Sequence, residues 1–127
     1  MDIIISNNSE SPIYEQIKEQ IKMLIISGQL KEGDALPSMR LLAKELRISI
    51  ITTKRAYEEL EREGYIESFT GKGSFVKGVN REVVKEGLVY EIEQLFEEIL
   101  EKAEVAEISN DELLEIFSLL VEERNRG

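Results

Sequence analysis

Five basic side chains, Arg40, Lys44, Arg47, Lys54 and Arg55, lie between positions 40 and 55 against one acid, Glu45, in a chain of net charge −10. Guanidinium and ammonium groups at that density suit one kind of chemistry, charge-assisted hydrogen bonding to phosphate. Downstream, Gly71-Lys72-Gly73 holds a further ammonium between two residues without side-chain bulk. The partner these groups point to is double-stranded DNA. Covalent catalysis is poorly supplied by comparison. The 127 residues include no cysteine and no histidine, so disulfides, thiolate or imidazole metal ligands and imidazole acid–base chemistry are excluded. The 26 carboxylates are spread along helices, with no paired set in a cleft-forming motif. No catalytic residue, metal ligand or cofactor is therefore expected.

Positioning the basic groups falls to a regular succession of elements. Ser11-Pro12 reads as a helix start, followed by an apolar stripe at Ile13, Ile17, Ile21, Leu24 and Ile25 and a left-handed stop at Gly28. The stretch from Leu30 to Leu36 has room for a very short strand. Pro37-Ser38 opens a second helix with Leu41, Leu42, Ala43 and Leu46 apolar, and Ser49 caps a third that ends at Gly64. Tyr65–Phe69 and Ser74–Val76, joined by a glycine-rich turn, form a hairpin. Arg40 then sits near the start of the second helix, suited to phosphate or guanine. Ser49, Thr52 and Thr53 occupy the first turn of the third, where exposed amides and hydroxyls meet phosphate. Lys54 follows, Arg55 faces elsewhere, and Lys72 can enter a minor groove. Each has a plainer role: Ser49 is first a cap, a lone cation is usually solvated, and the Gly-Lys-Gly tip is an ordinary turn. It is no nucleotide-binding loop, because Gly73 stands where such a loop needs Ser or Thr after the lysine. The order of cap, basic helix, turn and wing is more specific than its parts, and reads as a winged helix-turn-helix.

From Asn80 a long helix holds Val84, Leu88, Ile92, Leu95, Phe96, Ile99 and Ala103 on one face, with Gly87 marking either a bend or close packing. Ser109-Asn110-Asp111-Glu112 is a capping box with Ile108 and Leu113 as its staple, opening a last helix that carries Leu114, Ile116, Phe117, Leu120 and Val121. The two parts differ in charge: 11 basic and 12 acidic residues up to position 78, 5 basic and 14 acidic after it. Two modules follow, a DNA-binding domain at 1–78 and a helical domain at 79–127, so the fold expected is mainly α with a small β-hairpin. The tail is a two-helix antiparallel hairpin with too much apolar surface to leave in water. We expect Leu88, Ile92, Leu95, Phe96, Ile99, Leu113, Phe117 and Leu120 to pair it with its twin in a homodimer. The alternative is that these helices pack only on their own first domain. No apolar run approaches the length of a membrane span and no signal peptide opens the chain, so a cytoplasmic protein without a membrane partner is expected.

Leu36-Pro37-Ser38-x-Arg40-x-Leu42-Ala43-x-x-Leu46, Ile48-Ser49-x-x-Thr52, Ala56-Tyr57-x-x-Leu60-x-x-Glu63-Gly64-Tyr65-Ile66 and Gly71-x-Gly73-Ser74-Phe75-Val76 together resemble the GntR family of bacterial transcription regulators. The resemblance covers roughly residues 10–77. It implies operator DNA as partner, a homodimer, and DNA contacts at Arg40, Ser49, Thr52, Lys54 and Gly71 or Gly73. The short tail is similar to the YtrA-type subfamily, which implies a repressor of a transporter or stress-response operon. Two departures stand out. Arg47 occupies a turn position that is commonly Gly, and Ile50 and Ile51 replace the base-reading arginine. Two branched apolar residues there can touch thymine methyls or pack inward. Two helices of this length cannot enclose a drug-sized ligand, so a small-molecule effector would have to sit between chains or between modules. The rival function is a winged-helix module for protein–protein assembly, which would not need the basic stretch. A weaker rival is a small carboxylate enzyme.

Overall fold

The chain runs through α1 (Ile13–Ile26), α2 (Met39–Leu46), α3 (Ile50–Arg62), β1 (Ile66–Phe69), β2 (Gly73–Val76), α4 (Arg81–Val105) and α5 (Asn110–Arg126). It is mainly helical with one small antiparallel hairpin. The computed structural model describes residues 1–127, and contacts divide them into two compact units, Met1–Val84 and Lys85–Gly127.

In the first unit, Ile17, Ile21 and Ile25 recur every fourth residue along α1 and are buried. They share a core with Leu42, Ala56, Tyr57, Leu60, Ile66 and Val76. The start of α1 differs from the sequence expectation. Pro12 is the capping residue, and no side chain closes the helix. Ser11 lies one position too far out, and contributes its carbonyl, which accepts from Gln16 Nε2 at 2.9 Å. The end is as expected: Gly28 has φ +85°, and Leu30 N donates to Leu24 O at 2.9 Å.

A segment with no sequence assignment lies against α1. Gln20 Oε1 accepts from Ile4 N at 2.9 Å while its Nε2 donates to Ile4 O at 2.7 Å. Gln16, one turn earlier, does the same for Ser6 at 2.8 and 3.0 Å. Two side-chain amides thus satisfy an extended backbone as a neighbouring strand would, and Ile3 is carried into the core.

Ser38 Oγ accepts from Leu41 N at 3.1 Å and opens α2. The helix closes on Arg47 in the left-handed region, φ 57° and ψ 47°. Tyr57 of α3 donates its hydroxyl to Pro37 O at 2.7 Å, tying the second helix of the pair to the turn before the first. Its burial pushes the phenol well above the usual range.

β1 and β2 pair with Ile66 opposite Val76 and Ser68 opposite Ser74. The very short strand expected before α2 is present as a bridge between Ala35 and Phe75. Leu36 N donates to Ser74 O at 2.9 Å, and Val76 N to Asp34 O at 2.8 Å. At the tip, Lys72 N donates to Phe69 O at 2.9 Å and Gly71 has φ +78°, the conformation that a type II turn reserves for glycine.

In the second unit, α4 and α5 fold back on each other through residues 106–109. Ser109 Oγ accepts from Glu112 N at 3.2 Å, as the capping box requires. Phe96 meets Phe117 edge to face, ring centroids 6.2 Å apart. Ala103 is the one buried side chain of this unit. α4 runs unbroken through Gly87, where an added Cβ would meet nothing within 4 Å, so close packing within the chain does not explain that glycine. No helix is long and apolar enough to cross a membrane.

A left-handed Arg carries a steric cost of about 1–2 kcal/mol that glycine avoids, partly offset by the greater freedom of an unfolded glycine. Arg47→Gly should therefore stabilise the first unit by roughly 0.5–1 kcal/mol. A urea midpoint that moves upward at unchanged slope is the expected result, and a midpoint that falls would show that Arg47 makes a stabilising contact.

Candidate nucleic-acid interface

The first turn of α3 is built by Ser49. Its hydroxyl accepts from Thr52 N at 3.1 Å and pairs with Thr52 Oγ1 at 2.8 Å, both at the exposed end of the helix. The neighbouring amides remain directed outward along the axis, where a helix start favours anions. Ile50 and Ile51 are exposed rather than packed inward, Ile51 to 80%. Lys54, four residues on from Ile50 and three from Ile51, shares that outward side. Its ammonium lies 3.9 Å from Glu58, and with both side chains more than half exposed this pair is weak.

Thr53 is a correction. It is fully buried, and its hydroxyl donates to Ser49 O at 3.3 Å, so it belongs to the core face of α3 and offers nothing to a partner. Its place between Thr52 and Lys54 gave no warning, because a threonine suits either side of a helix start. Arg40 is exposed on the first turn of α2, and Lys44 and Arg47 are exposed further on. Gly71, Lys72 and Gly73 are exposed at the hairpin tip. Ile51 is outward beside Ile50, so of the two sequence alternatives for this pair, thymine contact or inward packing, the second does not hold for it.

Arg55 serves the fold. Its guanidinium stacks over the Tyr14 ring of α1 at 3.8 Å. At the far end of α3, Lys18 pairs with Glu15 at 2.9 Å and Glu63 at 3.1 Å. The hydrogen bond with Glu15 raises the Lys18 ammonium well above its ordinary range, and the same bond lowers Glu15. Lys22 reaches the Glu63 carboxylate at 3.8 Å and lies over Tyr65, 5.4 Å from the ring centre. α3 is therefore clamped to α1 at its middle and at its C-terminal end.

Charge is graded along α3. Lys54 and Arg55 lie in its first half; Glu58, Glu59, Glu61 and, at the C-cap, Glu63 follow, with Arg62 alone among them. A polyanion meeting this helix is attracted to its start and repelled by its end.

A helix, a turn at residues 47–49, a serine-capped second helix and a hairpin wing define a winged helix-turn-helix. Residues 13–76, half the chain, match the family described as bacterial regulatory proteins, gntR family, and the chain belongs to that family. Over 113 residues it is 37% identical to the HTH-type transcriptional repressor YtrA of Bacillus subtilis (strain 168), covering 89% of this chain and 87% of that one. The fold matches a GntR family transcriptional regulator from Listeria monocytogenes with TM-score 0.69 at 27% identity, over 87% of this chain and 96% of that chain. It also matches AraR(DBD) solved in complex with operator ORX1, with TM-score 0.54 at 25% identity, over 60% of this chain and 95% of that chain. The relatives are transcription regulators, not enzymes, and the short tail is that of the YtrA type.

Ser49→Ala should remove the α3 cap and destabilise the first unit by about 1 kcal/mol. Ser49→Asp, which can still cap, should recover most of that loss in the same thermal unfolding assay. Equal stability of wild type and Ser49→Ala would mean that the clamps on α1 hold α3 without its cap.

Proposed function

We propose that this chain is a homodimeric transcription repressor of the cytoplasm that occupies double-stranded operator DNA and so blocks transcription. Residues 1–78 are its DNA-binding domain and residues 79–127 its dimerisation domain. The observation that carries the reading is the outward start of α3, a serine-capped helix end with basic side chains on its first half and acids on its second. Such a helix enters a major groove start first. Ser49 and Thr52 then serve phosphates, and Arg40 and Lys54 phosphates or base edges, with Ile50 beside them. Gly71 and Gly73 let the hairpin backbone approach the duplex closely enough for Lys72 to reach it. The assembly-module alternative leaves this charge gradient without a counterpart.

Dimerisation is supported by what the tail leaves uncovered. Ile92, Leu95, Phe96, Ile99, Phe117 and Leu120 are each more than two-fifths exposed, Leu88 and Leu113 are half-buried, and Leu100, Leu114 and Leu119 widen the apolar surface. Two helices can cover only one side of each other. A second copy, contacting about a two-fold axis, supplies the missing layer.

Fluorescence anisotropy with DNA from the gene's own promoter and a scrambled control, at two salt concentrations, tests the DNA reading. Selective binding that falls steeply with salt is expected; equal weak binding to both duplexes would overturn it. Lys54→Ala or Arg40→Ala should lose about 1–3 kcal/mol where the side chain reads a base, and reduce the salt slope by about one where it meets only phosphate.

Leu95→Asp tests the dimer, since Leu95 lies outside the Phe96–Phe117 contact and is 57% exposed in one chain. Sedimentation should show monomers with the first unit still folded. A retained dimer would place the interface elsewhere.

A further inference from the structure

Ile51 is the most exposed large apolar side chain of residues 1–84, at 80%, and Ile50 beside it is 48% exposed. Every other exposed side chain of α3, among them Lys54, Glu58, Glu61 and Arg62, is charged. The pair occupies the first two positions of the helix, where branched apolar residues help neither the helix nor the core. Their polar neighbours are largely engaged. Ser49 and Thr52 share a hydrogen bond, and Thr53 is turned into the core. What the tip of α3 offers a base edge is therefore mostly hydrocarbon.

A major groove presents one apolar feature, the C5-methyl group of a pyrimidine, which in unmodified DNA belongs to thymine. The geometry points to Ile51, with Ile50 beside it, as a reader of thymine methyls: each operator half-site carries thymine at one or two positions facing the start of α3. This rests on the DNA reading above and deepens it. The occupant is DNA rather than a protein because the hydrocarbon is set among Arg40, Lys44, Arg47 and Lys54, with one acid, Glu45, in the same stretch. Contact with a methyl group is short-ranged and fails without it, so the pair rejects cytosine by leaving a gap rather than by a missing hydrogen bond.

Deoxyuridine differs from thymidine only by that methyl. Synthetic operator duplexes free of methylcytosine, each with one symmetric pair of thymidines replaced by deoxyuridine, would be titrated by anisotropy against wild type, Ile50→Ala and Ile51→Ala. The expected result is a loss of about threefold to fivefold per half-site, and so roughly tenfold or more per duplex, at one or two positions. Those positions should become silent in Ile51→Ala, whose exposed site leaves the fold intact. Selective operator binding by wild type that is indifferent to every replacement would overturn the inference and leave the DNA reading standing. A loss that persists unchanged in both variants would assign the effect to DNA stiffness and also overturn it. Absence of selective binding to any duplex would overturn the DNA reading itself.

Discussion

Thr53, Ala56, Tyr57 and Leu60 repeat at helical spacing, and their burial in one core with Ile17, Ile21 and Ile25 of α1 sets the rotation of α3 about its own axis. Everything the first unit presents follows from that rotation. With those four inside, Ile51 and Lys54 have to be outside, and Ile50, on the flank of the same face at the helix start, is left half exposed. Burial of each large apolar side chain contributes about 1.5–3 kcal/mol, so the core dominates, and a turn of the helix by one residue would forfeit several such terms. The polar clamps act on finer scales. Tyr57 fixes α3 to the turn before α2, Arg55 stacks on Tyr14, and Lys18 holds Glu63 at the far end. A reading helix needs that definition, because a displacement of an ångström separates a base contact from none.

The same serine chemistry recurs at three helix starts, Ser38, Ser49 and Ser109, each accepting from an amide three residues on. At Ser38 and Ser109 the cap is an internal matter. At Ser49 it organises a helix end that is also exposed, so in the proposed function one hydroxyl supports both folding and recognition. The turn before it is less economical. Arg47 adopts a conformation that glycine takes without strain, and a positive charge at that point of the helix pair is what the strain accompanies.

Local chemistry was legible in the sequence because it is local. The caps at Ser49 and Ser109, the stops, the α1 stripe and the hairpin turn are written in residues three or four apart, and each appears where its pattern lies. Thr53 was not legible as a core residue, because a threonine one position from an exposed lysine fits both faces until the packing of α3 is known. The seating of Ile3 was hidden for a different reason: Gln16 and Gln20 reach backbone ten and sixteen residues away, and glutamine on a helix surface has no pattern announcing that. Ser11 misled by proximity, since a serine one position too early leaves the first-turn amides uncapped. In the tail the apolar face was legible, but its width was not. Val89, Leu100 and Leu119 lie outside any single stripe, and their exposure appears only when α4 and α5 are seen to cover so little of each other.

A unit whose one buried side chain is Ala103 has almost no core of its own. Isolated helical hairpins of this size are marginal in water, so in the proposed dimer association and tail folding become largely one event, with stability that depends on protein concentration. The tail also carries 14 acids against 5 basic residues, and pairing two copies brings like charge together. Salt screens that repulsion and leaves the apolar burial little changed, so it favours the pair. At the other end of the chain, salt replaces the counterions that basic side chains release from DNA and weakens the complex. The two proposed interactions therefore answer ionic strength with opposite sign. Because a dimer binds two half-sites, loosening the tail also loosens DNA. With acids gathered on the module proposed to pair with itself and bases on the helix pair proposed to meet phosphate, operator binding is expected to have an optimum at intermediate salt.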